Sequence, residues 1–229
     1  MKVQIWFVDC QNDFINADGA LPVPDAPSIL ENLEKLKTAA VNHGISSVYT
    51  QDYHDVNDPE LSDNPDFKTT FPKHCIRGTI GSYFVDGVYN NNGIMIFDPD
   101  DDLADILMKN QNIDFIDKGI ILTKQIFSTF DGNKNAETYI EATRPDVVFV
   151  CGVAGDVCVK AVVEGLLEMN RLFKDFKDAP MRICVVADAV KSLNEEATKT
   201  LYSQFDVSQV DTDFVVKFME LVDGMGDTL

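Results

Sequence analysis

Apolar runs of strand length recur along the chain, and each stops at a polar residue or a glycine. Val3–Val8 ends at Asp9, 45–50 at Gln51-Asp52, 119–123 at Lys124, 146–151 at Gly152 and 182–187 at Asp188. The runs are continuous rather than alternating, which marks strands covered on both faces. Shorter strands are predicted over 93–97 and 207–210. Helical spacing fills the intervals. Ile29, Leu30, Leu33 and Leu36 lie on one stripe of a helix over 26–42, closed by His43-Gly44. Further helices are predicted over 101–109, 136–143, from 156 onward, 192–205 and 212–222, with the tail from Asp223 expected to fray. Strand and helix thus alternate from end to end. The expected fold is α/β, a doubly wound and mostly parallel sheet with helices on both faces, a Rossmann-like three-layer arrangement. A single domain over 1–229 is expected, with a loop insertion at about 52–92. A loop of that length is functional or disordered. Its aromatics and its two of the chain's three histidines favour function.

In such sheets ligands bind beyond the carboxyl ends of the strands. Asp9, Asp52, Lys124 and Cys158 fall at those ends. The stretch from Phe149 to Val159 reads as a strand, a glycine turn and a helix, with Cys158 in the first helical turn and Asp156 two residues before it. A helix N-terminus lowers a thiol pKa and offers free N–H groups to an oxyanion. Cys158 is therefore the candidate nucleophile, Asp9 the proton acceptor, and Lys124 an ammonium that would favour the thiolate. Taken singly, each has a plainer reading: a small buried hydrophobe, a turn-former, a surface lysine. Four chemically capable residues at four equivalent places outweigh those readings. Cys151 and Cys184 lie within apolar strands and read as core. Cys10 and Cys75 lie near the expected mouth and read as reactive bystanders. In extended backbone Asp52 and His54 point to the same side. With His74 they make a set suited to Zn²⁺ or Fe²⁺ with coordination positions left open; two surface histidines in a polar loop is the alternative.

Charge narrows the partners. The chain holds 38 acidic against 19 basic residues, a net −19, which argues against nucleic acid and anionic membranes. No apolar run approaches a membrane span. The start, Met-Lys-Val-Gln-Ile-Trp-Phe-Val-Asp, lacks the features of a secretory signal. The cysteines number five, without a Cys-x-x-Cys pair, and a reduced cytoplasmic setting is expected.

Five motifs in order carry a resemblance. Val8-Asp-Cys-Gln-Asn-Asp-Phe14 is similar to Asp-x-Gln-x-Asp-Phe, Gln51-Asp-Tyr-His54 to Asp-Trp-His, and the run from Phe71 to Thr79 to Trp-Pro-x-His-Cys-x-x-Gly-Thr. Lys124 with Ser128-Thr-Phe130 resembles a lysine followed by Ser-x-Phe, and Gly152-Val-Ala-Gly-Asp-Val-Cys-Val159 resembles Gly-x-Ala-Thr-Asp-x-Cys-Val. The chain thereby resembles the isochorismatase-like cysteine hydrolase superfamily, in its nicotinamidase branch, from Val8 to about Val190. That resemblance implies an amidohydrolase acting on nicotinamide through a cysteine thioester, in NAD salvage. It implies a triad of Asp9, Lys124 and Cys158, and one divalent metal, Zn first and Fe or Mn as alternatives, held by Asp52, His54 and His74. A fourth carboxylate, Asp63 or Glu60, is left open. It implies ring-binding aromatics at Phe14 and Phe71. It also implies a cis Val153–Ala154 peptide that helps aim the N–H groups of Ala154 and Cys158 at an oxyanion, and a homo-oligomer. Gly155 stands where the family has threonine, and Tyr53 and Phe71 where it has tryptophan. The alternatives are a related hydrolase of pyrazinamide-like amides or of carbamoyl or ureido compounds, and a non-catalytic binding member.

Overall fold

The computed structural model describes residues 1–90, 93–109, 114–174 and 180–226. Its strands are β1 (Val3–Val8), β2 (Ser46–Asp52), β3 (Met95–Phe97), β4 (Ile120–Lys124), β5 (Val147–Val153), β6 (Arg182–Lys191) and β7 (Ser208–Val210). They form one sheet in the order β3-β4-β2-β1-β5-β6-β7, and every neighbouring pair is parallel. β1 lies at the centre between β2 and β5. The chain winds one way from β1 to β2 and the other way from β5 to β6, so the crevice at a topological switch point opens beyond β1 and β5.

The two faces divide by the period of the strand. Val3, Ile5 and Phe7 of β1 and Val147, Phe149, Cys151 and Val153 of β5 enter one apolar cluster, with α2 (Leu30–Asn42) and α9 (Thr212–Gly226). Trp6 and Val8, with Val148 and Val150, enter the other, with α6 (Asn135–Thr143) and α7 (Cys158–Phe173). All six residues of β1 are buried. Full burial of each large apolar side chain contributes about 1.5–3 kcal/mol, so both faces hold the central strand.

Two elements depart from their expected bounds, and short helical turns lie between others. β6 runs on through Asp188, because that carboxylate accepts from the Thr212 N–H and hydroxyl at 2.9 Å each and so stays within the strand. α9 continues to Gly226 instead of fraying from Asp223, which is tied to His43 of the α2 cap at 2.9 Å; residues 227–229 lie outside the described residues. The expected loops hold short helical turns: α1 (Asn12–Ile15), α4 (Asp114–Lys118) and α5 (Thr129–Gly132). The helix expected over 101–109 is α3 (Leu103–Lys109), and that over 192–205 is α8 (Glu195–Tyr202). The long loop follows β2 and is almost wholly irregular, its last two positions lying outside the described residues. No helix among the described residues is long and apolar enough to cross a membrane.

Candidate active site

Sheet register builds the site. Asp52 and Lys124 are paired residues on β2 and β4, and Val8, just before Asp9, pairs with both Thr50 and Gly152. The side chains of Asp9, Asp52 and Lys124 are buried where their strands end. Asp9 leaves β1 in a left-handed conformation, φ 47°, of the kind that concentrates at functional sites. Its Oδ1 accepts from the Thr50 hydroxyl at 2.5 Å and its Oδ2 from Lys124 Nζ at 2.8 Å. Lys124 also donates to Asp52 Oδ1. The ammonium thus sits between two carboxylates.

Cys158 opens α7 across the crevice. Its sulfur and one carboxylate oxygen each of Asp9 and Asp52 lie within 4.8 Å of one another. Burial pushes this thiol well above its ordinary range; Lys124 opposes that shift, and Asp9 and Asp52 add to it. Burial thus favours the neutral thiol even though Cys158 opens a helix. Burial also raises Asp9, against the pull of Lys124. For Lys124, burial works against the ammonium, but Asp52 and Asp9 outweigh it and hold the proton on. The resting site thus holds a neutral thiol, an ammonium, and a carboxylate with raised proton affinity beside the thiol. The bystander reading of Cys10 and Cys75 does not survive: both are fully buried and burial pushes both thiols up.

The second face of Asp52 looks toward the loop. Its Oδ2 lies 3.4 Å from His74 Nε2 and 4.0 Å from His54 Nε2. His74 Nδ1 is 2.7 Å from the Pro72 carbonyl and His54 Nδ1 is 3.2 Å from the Asp58 carboxylate. Those oxygens can only accept, so each ring carries its proton on Nδ1 and presents Nε2, the arrangement that prepares an imidazole for a metal. Glu60 is the fourth member. One donor atom each from Asp52, His54, Glu60 and His74 lies within 4.8 Å of the others, and all four residues are buried. Asp63 is on the surface, paired with Lys73 at 3.2 Å. Glu60 Oε2 accepts from the Phe127 N–H at 2.9 Å, and burial, reinforced by Asp52, pushes its carboxyl up to about 7. The fit of a cation rests on His54 Nε2, which is buried with no hydrogen-bond partner. A buried ring nitrogen aimed at two carboxylates and a second imidazole suits a divalent ion.

The first motif is spent residue by residue. Gln11 clamps the end of β2, donating to the Asp52 carbonyl at 2.7 Å and accepting from the Asp52 N–H at 2.8 Å. Asp13 accepts from the Cys75 N–H at 2.7 Å, which fixes the backbone beside His74. Phe14 packs against His74 with ring centroids 5.2 Å apart. The spacing of the motif carried the signal for Gln11 and Asp13, although neither touches the reacting groups. Phe71 also lies against His74, at 6.3 Å. Tyr53 does not line the cavity; its ring lies 4.6 Å beneath the Arg77 guanidinium.

The turn before Cys158 is held from outside. Asp156, a neighbour of the thiol in sequence, instead accepts from the Leu193 and Asn194 N–H groups at 2.9 Å each. Tyr202 donates to the Gly155 carbonyl at 2.6 Å. The N–H groups of Gly155, Val157 and Val159 are taken by the carbonyls of Lys191, Ala154 and Ala154, while those of Ala154 and Cys158 have no such partner among the described residues. The Val153–Ala154 peptide is cis. Gly152 has φ 113°, and a Cβ there would collide with the Val8 carbonyl. At Gly155 a Cβ would collide with Ser192 Oγ and stand 2.9 Å from Val190 Cγ1. The space a threonine would take is already filled. Gly155→Thr is therefore expected to cost about 1–3 kcal/mol through overpacking, seen as a lower Tm, and Ser192→Gly to restore part of it. An unchanged Tm would refute this account of Gly155.

Comparison with known proteins places this architecture. The Isochorismatase domain family model matches residues 4–100. The nicotinamidase of Saccharomyces cerevisiae is 24% identical over 189 residues, 71% of this chain and 80% of that protein. The match to the Isochorismatase domain thus covers the amino-terminal part of the chain, and the similarity to a nicotinamidase extends over most of its length. Two solved structures share its fold. The pyrazinamidase of Pyrococcus horikoshii in complex with zinc has a TM-score of 0.67 at 21% identity, over 92% of this chain and 99% of that one. The N-carbamoylsarcosine amidase of Thermoplasma acidophilum has a TM-score of 0.67 at 22% identity, over 93% and 98%. The isochorismatase-like sheet thus serves neighbours named for different amides, and the site has to decide between them.

Proposed function

We propose that this protein is a cysteine amidohydrolase for a neutral, ring-bearing carboxamide, with nicotinamide the first substrate to test. A hydrolase acting on amide C–N bonds agrees with its superfamily relatives. The observation that carries the choice of substrate is the cavity above Cys158. It holds about 260 Å³, slightly under the roughly 300 Å³ at which small-molecule sites begin. Its walls are mainly apolar, with Phe14, Phe67, Phe71, Phe127, Val157 and Leu193 among them. Its ionisable lining residues are Asp52, Glu60, His74 and Cys158, with no lysine or arginine among the described lining residues. A carboxylated carbamoyl or ureido substrate would find no lysine or arginine in that wall to pair with; a flat neutral ring would find aromatic faces.

The chemistry follows from the placement of the groups. Asp9 takes the proton of the Cys158 thiol as sulfur attacks the carboxamide carbon, and Lys124 balances the charge that moves between them. The N–H groups of Ala154 and Cys158 are the candidate donors to the tetrahedral oxyanion. Collapse breaks the C–N bond, and the proton on Asp9 leaves with the amine as ammonia. The remaining thioester is opened by water, which gives its proton to Asp9 and releases the acid and the thiol. Asp52, His54, Glu60 and His74 would hold the divalent ion, zinc first. A bound ion supplies a Lewis-acid contact that orients a ring nitrogen or the amide.

Ammonia release from nicotinamide, pyrazinamide, N-carbamoyl amino acids and ureido acids, with and without chelator, tests the reading. Nicotinamide and pyrazinamide are expected to be turned over, and the carboxylated compounds not; faster turnover of an N-carbamoyl amino acid would overturn it. His54→Ala is expected to lower bound metal from about one ion per chain to near zero by elemental analysis, a readout independent of turnover. Full occupancy in that variant would remove His54 from the set.

A further inference from the structure

Between Glu60 and Phe71 the loop folds back on itself as a small closed unit. Ser62 N–H donates to the Phe71 carbonyl and Phe71 N–H to the Glu60 carbonyl, both at 2.8 Å. Its base therefore carries a candidate metal ligand and an aromatic wall of the cavity. Its tip is the turn from Asp66 to Thr70, built around one carboxylate. Asp66 Oδ1 accepts from the N–H groups of Lys68 and Thr69 at 2.8 Å each and of Thr70 at 2.9 Å, and from the Thr70 hydroxyl at 3.1 Å. Its Oδ2 accepts from the Thr69 hydroxyl at 2.9 Å. The Phe67 N–H closes the turn on the Thr70 carbonyl at 3.0 Å.

Phe67 is the residue this turn displays. Its φ is 54°, a left-handed conformation that disfavours a residue bearing a Cβ. Such a conformation persists where surrounding contacts over-determine it, and the Asp66 hydrogen bonds do so here. The ring is 59% exposed yet lines the cavity that holds Cys158. A large apolar ring held against its backbone preference, half in water and half over an apolar cavity, belongs to neither apolar cluster of the described residues.

We infer that Phe67 is a specificity-determining residue that covers a substrate ring at the mouth of the cavity, and that Asp66 is the positioning residue that holds it there. The inference rests on the reading that the cavity takes a ring-bearing amide. Binding the ring completes the burial of Phe67, so the contribution falls on substrate affinity rather than on the chemical step. It also limits the size of ring that fits.

Steady-state kinetics with nicotinamide and the fused-ring quinoline-3-carboxamide provide the test. Phe67→Ala is expected to raise KM for nicotinamide about tenfold with kcat within twofold, the pattern of lost uniform binding. The quinoline-to-nicotinamide ratio of kcat/KM is expected to rise at least about tenfold as the mouth widens. Phe67→Tyr keeps the ring and should restore the parent values. Asp66→Ala should reproduce Phe67→Ala, whereas Asp66→Asn, which keeps the Oδ1 acceptor, should remain near the parent. The double variant Asp66→Ala/Phe67→Ala should be no worse than either single change, because Asp66 acts through Phe67. KM and the substrate ratio unchanged in Phe67→Ala would overturn the inference, as would effects that multiply in the double variant. If the parent enzyme turns over no ring amide, the proposed function fails and the role of Phe67 with it. If turnover is present but indifferent to Phe67, only the role of Phe67 fails.

Discussion

Cys158→Ala is expected to lower ammonia release by at least about 10⁴-fold, because losing the nucleophile removes the covalent route altogether. The physical case is specific to the geometry. The thiol is buried within 4.8 Å of an oxygen of Asp9, a carboxylate whose proton affinity burial has already raised. A resting thiol beside a willing acceptor gives a nucleophile that forms only as the substrate is attacked, so little thiolate is exposed to side reactions. The substitution removes one atom from a residue 7% exposed at the cavity wall, and the melting temperature should stay within a few degrees of the parent. Activity within tenfold of the parent would rule out Cys158 as the nucleophile. A lost activity accompanied by a large fall in Tm would point to misfolding and leave the assignment to Cys158→Ser.

The second large effect is on stability. Lys124→Met keeps the length of the side chain and removes its charge. Lys124 is fully buried and donates to both Asp9 and Asp52, so the variant leaves two carboxylates facing each other without a counter-charge. Removing one partner of a buried ionic group costs about 3–5 kcal/mol, or roughly 6–20 °C in Tm for a chain of this size. Asp9→Asn in the same chain should recover part of that loss, because one of the repelling charges is gone. Thermal melts of the parent and the two variants would decide it. A Lys124→Met protein as stable as the parent would mean that the two acids do not depend on this ammonium. Activity should be lost in both variants.

Much of the fold was legible because it rests on local pattern. A strand buried on both faces has to be apolar throughout, and Val3–Val8 and the run before Gly152 show that without reference to anything distant. The ends of those runs marked Asp9, Asp52 and Lys124, since a charged side chain is costly in the covered part of the sheet. The irregular loop was far less legible. Nothing periodic distinguishes Glu60 from Asp63; the backbone pairing of 60–62 with Phe71 turns one inward, and the other meets Lys73 on the surface. Phe67 gave no local signal, because its importance depends on a left-handed turn that places it over a cavity formed by distant segments.

Two local inferences failed for the same reason. A helix N-terminus argues for a low thiol pKa at Cys158, but the burial that surrounds it is a property of the closed site and favours the neutral thiol. Asp156 stands beside Cys158 in sequence, yet its carboxylate reaches across to the Leu193–Asn194 backbone. Periodicity, turn residues and motif spacing were enough to name the strands, the mouth of the sheet and the kinds of group found there. Which of those groups meet was decided by the parallel register that sets Asp52 beside Lys124 and brings Asp9 up to Cys158. Hydrogen bonding, charge coupling and desolvation act over a few ångströms of space, and that proximity exists only once the sheet has closed.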